Sequence, residues 1–368
     1  MINEKRLLDT FIGYAMIDSE TKNEKAMGEK LVEDLKALGL EVKTDKAGEG
    51  FGSNGFNVCA YLPGTIPGEP TIMCAHMDTV TPGNGIKPLI DDGIIHTDGS
   101  TILSGDDKSG IAAIMEAVKV IKEQNLPCRN TEILFTIGEE GGMNGVKNMD
   151  LSMIKGKEAM VFDASGDVGK ILTCGPGQIK IFATIIGRSS HAGLAPEEGI
   201  SAIQVAAKGI AKMNLLRIDE ETTCNIGTLK AEYATNIVPE KAEFVAEVRS
   251  RNIDKLNAQA AHMQKCLQDA CDEMGAKLEI ELKTNYVSFN VANDDPMVQR
   301  VFESCKRIGC EPMTAKGGGG SDANVMALHG IKPIVLSTGM TKVHTTGETL
   351  KIENLNKCAE LVLDLMTH

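Results

Sequence analysis

Two histidines and a set of carboxylates stand where apolar runs stop. His76 and Asp78 lie in Ala-His-Met-Asp-Thr-Val, Asp106 and Asp107 in Gly-Asp-Asp-Lys-Ser-Gly, and Glu139 and Glu140 in Gly-Glu-Glu-Gly-Gly. Asp163 closes Met-Val-Phe-Asp, and His344 sits in Val-His-Thr-Thr-Gly-Glu. Residues i and i+2 of an extended segment face the same side, so Asp78 can orient the His76 ring and fix its tautomer. An Asp at the head of a helix is ordinarily a cap. That accounts for one of Asp106 and Asp107 but not for both. Read singly, Glu139 and Glu140 belong to a solvated loop. Together, His, Asp and Glu are donors that suit zinc, cobalt or manganese. Two cations ~3.5–4 Å apart need a bridging carboxylate and roughly two further ligands each. His76, Asp106, Glu140, Asp163 and His344 supply that number, which leaves Glu139 free to act as a base.

The elements that carry these residues follow from apolar spacing. Residues 29–38 have helical periodicity, and 57–62 and 71–75 are short apolar runs that read as strands. A polar loop spans 78–105. A buried helix follows from Ile111 to Ile121, then strands at 132–137 and 159–162. Alternating strand and helix predict an α/β fold with a mostly parallel sheet flanked by helices. In such sheets ligands bind at the carboxyl ends of strands, which is where the residues above lie. From about residue 176 the order changes to strand 179–186, helix 200–213, strands 223–233 and 243–248, helix 254–274 and strand 277–287. This βαββαβ order is the ferredoxin-like split motif. A helix at 297–308 and a strand at 333–336 then rejoin the first sheet. The expected division is therefore 1–175 with 290–368, around an insertion at 176–289.

The ordered set AHMDTV, GDDKSG, GEEGG, FDASG and a late VHTTGE resembles the co-catalytic di-zinc peptidases. That family includes peptidase T, bacterial glutamate carboxypeptidase, aminoacylase and succinyl-diaminopimelate desuccinylase. The resemblance spans nearly the whole chain. It implies that His76 and Asp163 bind one metal, that Glu140 and His344 bind the other, and that Asp106 bridges them. It also implies a cis bond between Asp106 and Asp107, with Asp78 orienting His76 and Glu139 acting as general base. The implied reaction is amide hydrolysis by a metal-bridged hydroxide, with Glu139 passing its proton to the leaving amine. The cofactors so implied are two divalent ions, zinc first, with cobalt or manganese as alternatives.

The resemblance makes the insertion a lid and dimerisation domain. His191, in Arg-Ser-Ser-His-Ala-Gly, then holds the substrate or oxyanion in a partner subunit. Asn236 and Arg249 bind the substrate carboxylate, a task suited to a planar guanidinium; Arg251 lies close enough to compete for that role. Gly319, in the run 317–320, contacts substrate in the family. Read without the resemblance, these are a structural histidine, a turn Asn, a solvated Arg and a flexible loop. An Asp at 163 is the choice of the family's aminopeptidases and dipeptidases, and GDDKSG resembles the tripeptidase group. The favoured activity is therefore release of the N-terminal residue from short peptides, with a carboxypeptidase or N-acyl amino acid amidohydrolase as the alternative.

Composition sets the outer limits. The 368 residues exceed one ordinary domain of ~100–200 residues. With 38 Lys and Arg against 51 Asp and Glu, the net charge of −13 disfavours nucleic acid or an anionic membrane as partner. No run approaches the ~18 apolar residues of a membrane span, and the start, MINEKRLLDT, lacks the apolar core of a signal peptide. The ten cysteines form no Cys-x-x-Cys pair, which predicts buried free thiols and a cytoplasmic location.

Overall fold

A computed structural model describes residues 1–368. The chain divides into two compact units. Met1–Cys174, Asn290–Gly317 and Ser321–His368 form the first, and Gly175–Phe289 with Gly318–Gly320 the second. Gly319, which the sequence-based bounds assign to the outer part of the chain, thus groups with the second unit.

The first unit is built on a mixed sheet. Its centre is four neighbouring parallel strands in the order Arg129–Thr136, Ile66–His76, Glu158–Ala164 and Lys332–Ser337. These strands are buried on both faces, which explains why their sequences are nearly continuous apolar runs rather than alternating ones. Val58–Leu62 and Glu41–Thr44 add antiparallel strands on one side. Lys170–Gly175 adds one on the other. The register pairs Thr71–His76 one-to-one with Thr131–Thr136 and sets Ser337 beside Ala164, so the carboxyl ends of the strands share one edge.

The helix Gly105–Gln124 packs on the strand Ile66–His76 and against the helices Glu4–Ala15 and Ile352–Thr367. Its burial on almost every side explains its apolar sequence. Its first turn departs from helical geometry at Asp106 and Asp107, and the peptide bond between them is cis. The expected loop at 78–105 contains two short strands, Leu89–Asp91 and Ile94–His96, which join Thr349–Lys351 and Met340–Thr341 in a small antiparallel sheet. Three-residue strands are too short for a period of two to register in the sequence.

The second unit is an antiparallel sheet ordered Leu216–Arg217, Thr222–Lys230, Lys241–Ser250, Gly177–Ile186, Lys277–Tyr286. Apart from the two-residue strand, the chain runs β–α–β–β–α–β through the helices Ala202–Ala211 and Ile253–Met274. The longer helix starts where the Asn252 side chain accepts from the N–H groups of Asp254 and Lys255, and it stops at Gly275 with φ +73°. Ile181, Ile185, Phe244, Val248, Leu256 and Leu267 form a core of its own.

All ten cysteines are free thiols, nine of them buried and Cys310 half-buried. No helix is long and apolar enough to cross a membrane.

Candidate metal centre

The first unit's shared strand edge gathers the carboxylates and histidines. His76 ends its strand and Asp163 lies in the neighbouring one. Glu139 and Glu140 follow the strand Arg129–Thr136, and His344 follows Met340–Thr341. Asp106 enters from the irregular first turn of the long helix. His76 Nε2 lies 3.0 Å from Asp106 Oδ1 and 3.8 Å from Asp163 Oδ1. His344 Nε2 lies 3.2 Å from Asp106 Oδ2 and 2.9 Å from Glu140 Oε1. The two oxygens of Asp106 thus face two different histidines. Donor atoms of His76, Asp106 and Glu140 fall within 4.8 Å of one another, and so do those of His76, Glu139 and Asp163.

The fit to cations can be tested on the His76 ring. Its Nδ1–H donates to the Asp78 backbone carbonyl at 2.9 Å, and a carbonyl can only accept. In the neutral ring Nε2 then carries a lone pair. That lone pair faces two carboxylate oxygens, an arrangement satisfied by a proton on Nε2 or by a cation among the three. Charge gives the same answer. Burial, and then the charge of Asp163, push the Glu139 carboxyl well above its ordinary range; burial and Asp106 do the same to Asp163. Hydrogen bonds to Asp106 and Glu140 raise His344 to about 10. Burial opposes a charge on His76, yet its bonds to Asp106 and Asp78 lift it well above its usual value. The pocket crowds carboxyl groups around two histidines, and these donors are the oxygen and imidazole ligands of divalent metals.

The supporting residues divide the work in ways the sequence shows only in part. The Asp78 carboxylate lies 3.5 Å from His76 Nδ1, so the carbonyl of Asp78 makes the shorter contact with the ring. Its carboxylate instead accepts from the N–H groups of Glu139 at 2.9 Å and Glu140 at 3.2 Å, and from Thr21 Oγ1 at 2.8 Å. Asp107 accepts from Gly110 N–H at 3.3 Å as a helix cap does, and from His76 N–H at 3.3 Å. That leaves Asp106 for the histidines. His344 has φ +61°, an uncommon backbone state for a non-glycine residue and one that clusters at functional sites.

Several contributors carried no sequence signal for a role. Glu24 is buried and accepts from Gly138 N–H at 3.1 Å, steadying the turn before Glu139. Lys108 is fully buried and donates to the Ile17 carbonyl at 2.7 Å. Asp322, pushed up to about 7 by burial, accepts from Thr136 Oγ1 at 2.6 Å, while its Oδ1 is buried without a partner. Glu348 lies inside the motif around His344, and only its spacing of four from that histidine marks it.

In the second unit, His191 is exposed, and its Nδ1 accepts from Gly193 N–H at 3.1 Å. Its segment is bridged to Ile237, and Ala192 N–H donates to the Asn236 carbonyl at 2.9 Å, so His191 and Asn236 lie on adjoining loops. Arg249 is held by Glu247 at 2.8 Å on its strand, whereas Arg251 donates to the Glu220 carbonyl at 2.6 Å. Gly319 is exposed, with open space where a side chain would stand.

Residues 72–368 match Peptidase family M20/M25/M40. The chain belongs to this family. Among solved structures, this M20 peptidase is similar to the aminopeptidase PepT from Bacillus cereus. The two are 43% identical, covering 100% of this chain and 98% of that one, with a TM-score of 0.94. A tripeptidase from Staphylococcus aureus is 38% identical over 100% and 98% of the two chains, with a TM-score of 0.95. The Bacillus subtilis protein YqjE, described as uncharacterized, is 42% identical over 366 residues, covering 100% of this chain and 99% of its own length.

Proposed function

We propose that this M20 peptidase is an aminopeptidase of short peptides that works with two divalent cations, zinc first and cobalt or manganese as substitutes. The observation that carries the two-cation reading is Asp106, whose two oxygens face His76 and His344 at 3.0 and 3.2 Å. His76 and Asp163 would hold one ion, Glu140 and His344 the other, and Asp106 both. Bound there, such ions lower the pKa of water and polarise a carbonyl oxygen.

The chain's own residues do the rest. Asp78 keeps the His76 lone pair aimed inward through its carbonyl, and aims Glu139 and Glu140 through its carboxylate. Glu139 takes a proton from the attacking water and returns it to the nitrogen of the leaving amine. In this reading 176–289 is a lid through which a homodimer forms, and His191, Asn236, Arg249 and Gly319 hold the substrate's far end and its oxyanion. Similarity to an aminopeptidase and a tripeptidase, together with Asp at position 163, supports cleavage at the N-terminus.

The test is a substrate panel on chain stripped of metal and reloaded with zinc, cobalt or manganese. Free tripeptides are expected to lose their N-terminal residue, and N-acetylation should abolish turnover. Faster hydrolysis of an N-acetyl amino acid, or release of the C-terminal residue, would replace this reading with the amidohydrolase or carboxypeptidase one. Sedimentation of the same sample reads the dimer.

A further inference from the structure

Glu348 is 1% exposed and lies four residues beyond His344. Its Oε2 accepts from the N–H groups of Leu103 and Ser104, and its Oε1 from the N–H of Asp106, all at 2.9 Å. The segment 103–106 is therefore wrapped around one carboxylate, in the way that successive backbone N–H groups form a nest for an anion. The wrapping is tight. A Cβ added at Gly105 would meet Glu348 Oε1 at 2.9 Å, and Ser104 has φ +67°. At its other end, Glu348 N–H donates to the Thr345 carbonyl at 3.1 Å, closing a turn next to His344.

We propose that Glu348 is a positioning residue for the candidate metal centre: it fixes the backbone from which Asp106 faces both histidines and ties that backbone to the His344 loop. The inference rests on the two-cation reading of the site. Charge-assisted bonds to backbone N–H are stronger than neutral ones, and this carboxylate makes three. Each of its oxygens is committed, so an amide in its place sets an NH2 donor against either the Asp106 N–H or the Leu103 and Ser104 pair. Glu348→Gln keeps the size of the side chain and removes one or two of the three bonds of the clamp.

The experiment titrates metal-free wild type, Glu348→Gln and Glu348→Ala with Co2+, by calorimetry and by the visible absorption of bound cobalt. Wild type is expected to take two ions. The Gln variant should show at least one site weakened by about tenfold or more, as happens when a group that orients a metal ligand is lost, with an altered cobalt spectrum; the Ala variant should be weaker still. Variants that unfold at lower temperature but bind two Co2+ with wild-type affinity and spectrum would overturn the proposal, because that is the result of a purely structural role. Wild type that fails to bind two ions would instead bring down the two-cation reading, and this proposal with it. Hydrogen exchange of metal-free wild type needs no variant: protected amides at Leu103, Ser104 and Asp106 support the clamp, and solvent-like exchange there overturns it.

Discussion

At the scale of single residues, Glu139 and Glu140 are chain neighbours with different surroundings. Glu140 meets His344 at 2.9 Å. Glu139 is buried, has its N–H held by Asp78, and has its carboxyl pushed well above the ordinary range by burial and then by Asp163. Glu139→Ala is expected to bind Co2+ with the wild-type stoichiometry while kcat falls by about a hundred- to ten-thousand-fold, the usual contribution of general acid–base catalysis. Cobalt titration and peptide turnover on one preparation read both quantities, and near-normal kcat would remove Glu139 from the proton transfer. Residues of this kind are visible in a sequence when they end an apolar strand, as His76, Glu139 and Asp163 do. The roles of Glu24 and Glu348 are not visible in that way. Their partners lie 114 and 242 residues away along the chain, and only folding brings these groups together.

At the scale of elements, the close approach of the helix Gly105–Gln124 to the strand Glu158–Ala164 decides whether Asp106 can reach its partners. Gly110 permits it. A Cβ there would stand 2.6 Å from Asp107 Oδ1, 2.8 Å from the Phe162 carbonyl oxygen and 2.9 Å from Phe162 Cβ. Gly110→Ala should cost about 1–3 kcal/mol, the range for overpacking a tight interior. It would read as a lower urea midpoint at unchanged m value, and an unchanged midpoint would mean that the interface has slack. Many of the helices and strands with periodic or apolar runs were legible in the sequence, though the helix read from Ile111 begins at Gly105. The N-terminal helix Glu4–Ala15 and the strand Lys170–Gly175 were not, and neither were the helices Asp322–Leu328 and Ile352–Thr367 or the strands Glu41–Thr44 and Met313–Lys316. The N-terminal helix is anchored by Arg6 on the buried Glu116 at 2.7 Å, and the strand Lys170–Gly175 depends on its neighbours in the sheet. That strand is thus set by its tertiary partners, whereas Glu4–Ala15 also has a local pattern, with Asn3 capping it and Leu7, Phe11 and Tyr14 on one buried face.

At the scale of the whole molecule, each unit has its own buried interior, and the candidate metal centre belongs to the first alone. Cation binding at about a hundred times Kd adds about 2.7 kcal/mol to whatever unfolds with the site. Hydrogen exchange with and without zinc should therefore slow amides of the helix Gly105–Gln124 and leave those of Ile253–Met274 unchanged. Equal slowing in both would show that the two units unfold as one. The interleaving of the units along the chain also has a consequence for synthesis. Lys332–Ser337 lies in the sheet between Glu158–Ala164 and Lys170–Gly175. As the polypeptide leaves the ribosome, that slot stays open until nearly all of the message has been read, while Gly175–Phe289 already has the strands and helices of its own core. His344 and Glu348 emerge later still. The growing chain thus carries most of the candidate metal ligands well before the residues that complete the centre, and a cation arriving early would meet a site still lacking His344 and the Glu348 clamp.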